Sequence, residues 1–334
     1  MAAATDNNNN MERFDVVSDD TDHHFLRSVT DSEEFRKVGS DVYKRIMREW
    51  KILARSLPDS IYVSVYEKRI DLLRATIVGT AGTPYHDGLF FFDIAFPHDY
   101  PASPPDVHYR SYGFSINPNL YSNGHVCLSL INTWFGRRNE MWNPHGSTVL
   151  QLLLSIQALV LNDKPFYNDY WSEIFLRGGR IFFKNRSQAY NEAVFALNCR
   201  TMLCQLRRPP WNFQTFVVAH FRNRARAILS ACDDYANGRV SVGHYGEGGD
   251  GSKSKVKVSA KLRQSLVMLY PQLYEAFVLS GAFLGSDEER LRMEKRDGLC
   301  KSNAPNRKYR VIMRKVIGRI RKIYTSKLKN EQKS

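Results

Sequence analysis

Hydrophobic and polar positions follow helical, then strand-like, then helical spacing along the chain. In "DVYKRIMREWKILARSL", residues 41–57, Val42, Ile46, Met47, Trp50 and Leu53 (or Ala54) recur at helical spacing, with basic side chains opposite. Asp41 is placed to cap this helix, and Pro58 stands just past its end. Three apolar or period-two runs follow: "IYVSVY" at 61–66, "LLRATIVG" at 72–79 and "GLFFFDIAF" at 88–96, the last two separated by the turn-rich "TAGTPYHDG". Consecutive strands with short connections predict an antiparallel meander. The prolines of "PHDYPASPPDVHYRSYGF" exclude a central strand, so this segment is expected to bend into a short edge strand near 107–109. From Ser147 the helical period returns, with Val149, Leu152, Leu153, Ile156, Leu159 and Val160 on one apolar face. A helix, a sheet and then helices predict an α+β core.

The flanking segments read differently. The first forty residues, with "DNNNN" and "VVSDDTDHH", are polar, acidic and without periodicity, and are expected to be disordered or loosely attached. Beyond Tyr190 helices continue: the paired prolines of "RRPPWNFQTFVVAHFRNRARAILSACDDYANG" open one, and Gly238 follows its end. "YGEGGDGSKSK" has the composition of a flexible linker, and a helical stretch near 260–284 comes after it. In "RKYRVIMRKVIGRIRKIYTSK", Tyr309, Ile312, Met313, Val316, Ile320 and Ile323 share one helical face and bases share the other. The expected organisation is an acidic N-terminus (1–40), a core (41–205), a helical extension (206–300) with a flexible linker near 243–254, and a basic amphipathic tail (301–334).

Charge sharpens this division. The chain of 334 residues carries a formal net charge of +14. From Lys301 onward there are twelve Lys or Arg against one acid, Glu331, whereas residues 1–40 hold nine acids against four bases. Three uses of the cationic tail are open: a nuclear address or nucleic-acid patch, a surface for acidic substrates or membranes, and a clasp for the acidic N-terminus. A solvated amphipathic helix packed on the core is a fourth. Five cysteines at scattered spacings do not form a disulfide framework, and the N-terminus has no apolar stretch resembling a signal peptide, so a cytoplasmic or nuclear location is expected. Cys199, Cys204, Cys232 and Cys300 have no C-x-x-C spacing, which speaks for helix packing over zinc. The longest mainly apolar run, 149–161, is too short for a bilayer and is interrupted by Gln151, Ser155 and Gln157, so a soluble protein is expected.

The fifth cysteine, Cys127, lies in "NPNLYSNGHVCLSL", and the order of features around it carries chemistry. "FPHDYPASPP" is followed by "NPN", by Cys127 eight residues after Asn119, by Trp142 and Pro144, and then by the long apolar helix. This order resembles the ubiquitin-conjugating enzymes, in which an aromatic hairpin precedes "FPxxYPxxPP", a His-Pro-Asn tripeptide precedes the cysteine by the same spacing, and "CL" begins at it. The resemblance covers roughly residues 41–195. Two departures, Asn117 in place of His and the insertion "INTWFGRRNEM" between cysteine and tryptophan, are similar to the large atypical branch that includes hybrid conjugating-enzyme/ligase proteins. "PPWNFQTFVVAHFRNRARAILSAC" is also similar to that branch.

The resemblance implies a fold and a chemistry. The fold would be a conjugating-enzyme core with an N-terminal helix, a four-stranded antiparallel meander and C-terminal helices, extended by further helices. Cys127 would take the carboxyl terminus of ubiquitin from the activating enzyme as a thioester and yield it to a substrate lysine; a free thiol of pKa about 8.5 supplies enough thiolate without a dedicated base. No cofactor is implied, since ATP is consumed upstream by the activating enzyme. His125 and His145 raise the alternative of a Cys–His protease, but the orienting and oxyanion patterns are missing. Asn119 matches the family's asparagine, whose amide would steady the loop and the oxyanion; Asn-Pro-Asn is also ordinary turn chemistry. Asn117 keeps an amide able to bond backbone but has no ring, which leaves loop stability as the open point. Asp169, in "KPFYNDYW", falls near the family's acidic gate position, or is a solvated loop carboxylate.

Partner surfaces follow from the same alignment. Lys44, Arg45 and Arg48 would lie on the exposed face of the first helix and meet the activating enzyme, or be merely solvated. Ala102, Pro144 and His145 occupy the positions that dock a ligase, where Ala102 offers little area. The implied function is an acyl transferase for ubiquitin with ubiquitin, activating enzyme, protein substrates and a ligase as partners, and substrate selection through its own extension as a further implication. A catalytically inert scaffold of the same pathway is the rival, and nucleic-acid binding through the tail is a third reading.

Overall fold

Helical and strand periods fold where their spacing places them. The computed structural model describes residues 11–27, 35, 39–134, 136–168, 180–244 and 256–284. Helix α1 (Asp41–Ser56) starts at Ser40, whose hydroxyl accepts from the Tyr43 N–H at 3.1 Å. Asp41 is therefore the first helical residue and not the cap. Ile46 and Leu53 are fully buried, Met47 and Trp50 pack against the same core, and Ala54 faces solvent.

The sheet has five strands in sequential order: β1 (Phe14–Val17), β2 (Ile61–Tyr66), β3 (Leu72–Val78), β4 (Leu89–Ala95) and β5 (Asp106–Tyr109). Strands β2 to β5 form the expected antiparallel meander, while β1 adds a parallel edge against β2. Register separates two cross-strand rows. Val63, Ala75, Phe92 and Tyr109 line up on one face and are wholly buried in the main core. One residue along, Ser64, Arg74, Asp93 and His108 line up on the other.

On the first face lies α2 (Val149–Ser155), opened by Thr148 and continued by a π-helical turn (Ile156–Val160). Val149, Leu152, Leu153, Ile156 and Val160 enter the core; Leu159, expected with them, is 61% exposed because the extra residue of the π turn rotates it out of the row. Glu49 joins α1 to α2. Its carboxylate accepts from the Val149 N–H at 3.0 Å and the Tyr100 hydroxyl at 2.9 Å, and negative charge suits a helix N-terminus. Burial nevertheless raises its pKa, only partly opposed by those bonds and by Arg45.

The second face overturns the expectation of a disordered N-terminus for residues 11–27. Arg74 is completely buried and donates to Asp93 at 3.0 Å and to Asp22 at 2.6 Å, and Arg110 donates to Asp22 at 3.0 Å. The acids that made the N-terminus look unfoldable thus supply a counter-charge for buried bases. Val17, Phe25 and Leu26 pack on Tyr66, Leu72 and Ala95, and the His24 ring stacks on His108 at 3.4 Å between centroids. Residues 211–216 cover the remainder: Phe213 meets Phe91 at 5.2 Å, Phe216 meets Tyr62 at 4.4 Å, and the Trp211 N–H donates to Asp22 at 3.2 Å.

Helices α3 (Arg180–Arg207), α4 (Gln214–Asn237) and α5 (Ala260–Leu279) complete the described chain. It divides into two units, the described residues of Met1–Val218 with Val242–Gly246 and those of Ala219–Ser241 with Glu247–Ser334. Within the second, Leu262, Leu266, Leu269, Leu273 and Phe277 form the buried row of α5, capped by Ser259, and Phe277 stacks on Phe221. No helix among the described residues is long and apolar enough to cross a membrane. Asp169, Cys300, the linker from residue 245 to 255 and the basic tail lie outside the described residues.

The buried charges make the second face testable. Burial alone would raise the Asp93 carboxyl, but the charge and hydrogen bonds of Arg74 outweigh it and hold its pKa below the usual range. Asp93→Ala, which leaves buried Arg74 with Asp22 as its remaining carboxylate partner, is expected to lower unfolding free energy by about 3 kcal/mol in chemical denaturation. The double variant Arg74→Met, Asp93→Leu is expected to lose less; an equal or greater loss would contradict the ion-pair account. Burial and the neighbouring His24 depress His108 to about 4 in the fold, from an ordinary 6.5. Its share of stability is therefore complete above pH ~6.5 and drains away as pH falls toward 4, and His108→Asn should flatten that part of a stability–pH curve.

Candidate active site

Residues 117–127 turn back on themselves as a small irregular hairpin. Leu120 bridges Val126, the Cys127 N–H donates to the Asn119 carbonyl at 2.9 Å, and the Tyr121 N–H donates to the His125 carbonyl at 3.0 Å. Gly124 closes the turn at a φ of 89°, where any Cβ would strike the His108 ring. Alternation along the two arms gathers Asn119, Tyr121, His125 and Cys127 on one side. The Tyr121 and His125 rings meet edge to face at 5.7 Å.

Asn117 ties this loop to the core. Its amide nitrogen donates to the Tyr85 hydroxyl and to the Val160 carbonyl, both at 2.7 Å, and its oxygen accepts from the Asn119 N–H at 2.8 Å. Tyr85 passes the bond on to the Ile116 carbonyl at 3.1 Å. The lost ring is therefore answered by a tyrosine from the 80–88 turn. Val160, at the end of the π turn, has a carbonyl with no partner within the helix, and side chains of Asn117 and Asn168 satisfy it, the latter at 3.0 Å.

Cys127 lies almost buried at the bottom of a cleft of about 180 Å³ lined by Asn119, Ser129, Trp134, Leu159 and Asn168 among others. Burial raises the pKa of its thiol, and a hydrogen bond from Tyr121, not from an imidazole, acts in the opposite direction. Asn119 donates through Nδ2 to the Cys127 carbonyl at 2.9 Å, so the loop-steadying part of its expected role is present; its Oδ1 has no hydrogen-bond partner. Beyond the cysteine, Thr133 locks the chain: its hydroxyl donates to the Val126 carbonyl at 2.7 Å and accepts from the Leu128 N–H at 2.9 Å. Tyr85, Tyr121, Thr133, Trp134 and Asn168 were not singled out by sequence. Of these only Tyr121 left a signal, its two-residue offset from Asn119 in an arm that pairs with the cysteine.

The expected partner residues are placed unevenly. Lys44 and Arg48 are exposed on α1. Arg45 is not: its side chain is only 14% exposed, donates to the Ser147 carbonyl at 3.0 Å and pairs with Glu49, so the core and not solvent takes its charge. Trp142 donates to the Pro101 carbonyl at 2.8 Å and so fastens the turn bearing exposed Ala102 to the turn bearing half-buried Pro144 and exposed His145. Cys199 and Cys232 are buried and Cys204 partly so, none of them in a disulfide. Among the described residues no group of three or more His, Cys, Asp or Glu is placed to hold a metal ion.

Comparison with known proteins agrees with this geometry. The family model described as Ubiquitin-conjugating enzyme matches residues 45–192. The chain is 48% identical over 265 residues to the probable ubiquitin-conjugating enzyme E2 24 of Arabidopsis thaliana, covering 79% of this chain and 28% of that protein, so it spans less than a third of that relative. It is 34% identical over 240 residues to the dual E2 ubiquitin-conjugating enzyme/E3 ubiquitin-protein ligase BIRC6 of Homo sapiens, covering 67% of this chain and 5% of that protein. The putative ubiquitin-conjugating enzyme E2 39 of Arabidopsis thaliana is 44% identical over 277 residues, covering 81% of this chain and 84% of that protein. With the family match spanning strands β2 to β5, the cysteine loop and α2, and a relative shared over most of both lengths, the chain belongs to the ubiquitin-conjugating enzyme (E2) family.

Proposed function

We propose that Cys127 is the nucleophile of a ubiquitin acyl transfer. The carrying observation is the cleft, uncharged among the described residues, that holds its thiol beside Asn119, on a loop tied down by Asn117. In the first step the Cys127 thiolate attacks the thioester carbonyl carbon of ubiquitin on the activating enzyme. A new S–C bond forms, the old one breaks, and the thiol of the activating enzyme departs. In the second, a neutral lysine amine attacks the same carbon, Cys127 leaves as thiolate, and the amine proton passes to water. A side-chain amide donor at the developing oxyanion is worth about 3 kcal/mol in other enzymes, and Asn119 retains a second N–H for it.

Exposed Lys44 and Arg48 are the candidate contact to the activating enzyme, and the Trp142-fastened turns are the candidate ligase surface. Ala102 there buries little, which favours substrate selection through the helical extension. A relative named as a dual conjugating enzyme and ligase supports that division of labour.

Incubation with activating enzyme, ATP and ubiquitin is expected to give a thiol-labile adduct of one ubiquitin, absent in Cys127→Ala and thiol-resistant in Cys127→Ser. No adduct beside a working control enzyme would sink transfer of ubiquitin and leave either a ubiquitin-like modifier or an inert scaffold. Because burial raises the thiol pKa, iodoacetamide labelling of Cys127 should continue to rise with pH beyond ~8.5. Tyr121→Phe removes the bond that favours the thiolate and should slow labelling at pH 7.5 by about 3–5-fold; unchanged labelling would exclude that bond from thiol activation.

A further inference from the structure

We propose that the N-terminal segment tunes Cys127: His24, through the His108 ring, holds the turn of the cysteine hairpin, so that both histidines are positioning residues of the site. The property concerned is thiol reactivity, which Cys127 has whether or not ubiquitin is its cargo. The hairpin hangs on β5 at its turn. The Tyr109 N–H donates to the Gly124 carbonyl at 2.8 Å, the Ser111 hydroxyl donates to the Ser122 carbonyl, and His125 bridges His108. Gly124 has no side chain where the His108 ring presses: a Cβ there would lie 1.9 Å from the carbon between the two ring nitrogens. The tilt of that ring is therefore felt directly by the backbone of the turn.

The tilt is fixed from the far end of the chain. His24 stacks on His108 with ring centroids 3.4 Å apart and planes 3° from parallel, and Phe25 meets the two rings edge to face at 4.8 and 6.5 Å. His24 is itself anchored by its backbone, whose N–H donates at 2.9 Å to Asp93, the carboxylate that Arg74 holds. A cavity of about 320 Å³ borders both imidazoles, with Arg110, Ser111 and Tyr112 on its wall. Without the His24 ring, His108 loses the contacts on its stacked face and has room to swing off Gly124.

The turn passes this on to the sulfur through Tyr121. The Gly124 N–H donates to the Tyr121 carbonyl and the Tyr121 N–H to the His125 carbonyl, both at 3.0 Å, so the residues flanking the turn move with it. Tyr121 also makes the hydrogen bond that favours the Cys127 thiolate. Such a bond weakens steeply with distance and angle, so a turn that drifts leaves the proton on Cys127 to higher pH.

Alkylation of the full chain separates positioning from plain loss of stability. Iodoacetamide labelling of the Cys127 peptide is followed by mass spectrometry at pH 7.5 and above in wild type, His24→Ala, His24→Phe and Leu26→Ala. His24 is exposed and keeps its backbone bond to Asp93 in every variant, so the fold survives; Leu26, packed on Tyr66, Leu72 and Ala95, is the control for lost burial in the same segment. His24→Ala is expected to slow labelling at pH 7.5 about threefold, with the deficit closing as rising pH fills the thiolate. His24→Phe, which keeps a flat ring on His108, and Leu26→Ala should both stay within about 1.5-fold of wild type, although Leu26→Ala loses more stability in denaturant. In a Tyr121→Phe background His24→Ala should add no further slowing, because the bond it acts through is gone. Unchanged labelling in His24→Ala would overturn the proposal. So would equal slowing in Leu26→Ala, a deficit that persists at high pH, or slowing that adds in full to that of Tyr121→Phe.

Discussion

One buried amide holds the reactive loop in place. Asn117 uses both N–H groups and its oxygen, reaching a turn tyrosine, the last carbonyl of the central helix and the backbone of Asn119. Each is in a different element, so the loop, α2 and the 80–88 turn cannot shift independently. A buried amide with unmade bonds would be destabilising by about 1–3 kcal/mol for each group left unsatisfied. Full satisfaction is what lets an asparagine stand where relatives by motif carry an imidazole. Cys127 inherits its position through Asn119, which bonds it by backbone and by side chain.

The sheet beneath that loop is a two-sided solution to one register. Its inner row is apolar and gives the core; its outer row is charged, and so cannot be closed by more apolar helix. Closure comes from two distant segments with matching chemistry, 18–27 bringing Asp22 and its histidines, and 211–216 bringing Phe213 and Phe216. Both β3 and β4 are buried along nearly their whole length, which explains why "LFFFDIA" shows no clean alternation.

Elements whose signal is local were legible in the sequence. The four meander strands and α1 lie within a residue or two of their periodic runs, because apolar spacing there agrees with turn chemistry. β1 was missed because the composition around it is acidic, and the reason for those acids, Arg74 and Arg110, lies 52 and 88 residues away. Leu159 was misplaced because a π turn has no sequence period of its own. At the site, the eight-residue spacing that singled out Asn119 and Cys127 corresponds to a backbone and a side-chain bond between them. Arg45 was taken for a surface base because its partner, Glu49, looks like one more charged residue on a polar face until burial is known. Tyr85 and Thr133 were invisible because each acts through side-chain bonds that no period or motif along the chain announces.

The closure of the outer sheet face also orders events during synthesis. Asp22 accepts from the Trp211 backbone, 189 residues further along. At roughly 5–20 residues per second, the interval between the two leaving the ribosome is on the order of 10–40 s. For the last 118 of those residues, about 6–24 s, Arg74 and Asp93 are already chain-borne while residues 211–216 of their cover are still unmade. The nascent sheet therefore passes through a stage in which Asp22 can already reach Arg74 and Arg110 while the part of the charged face closed by residues 211–216 is still open.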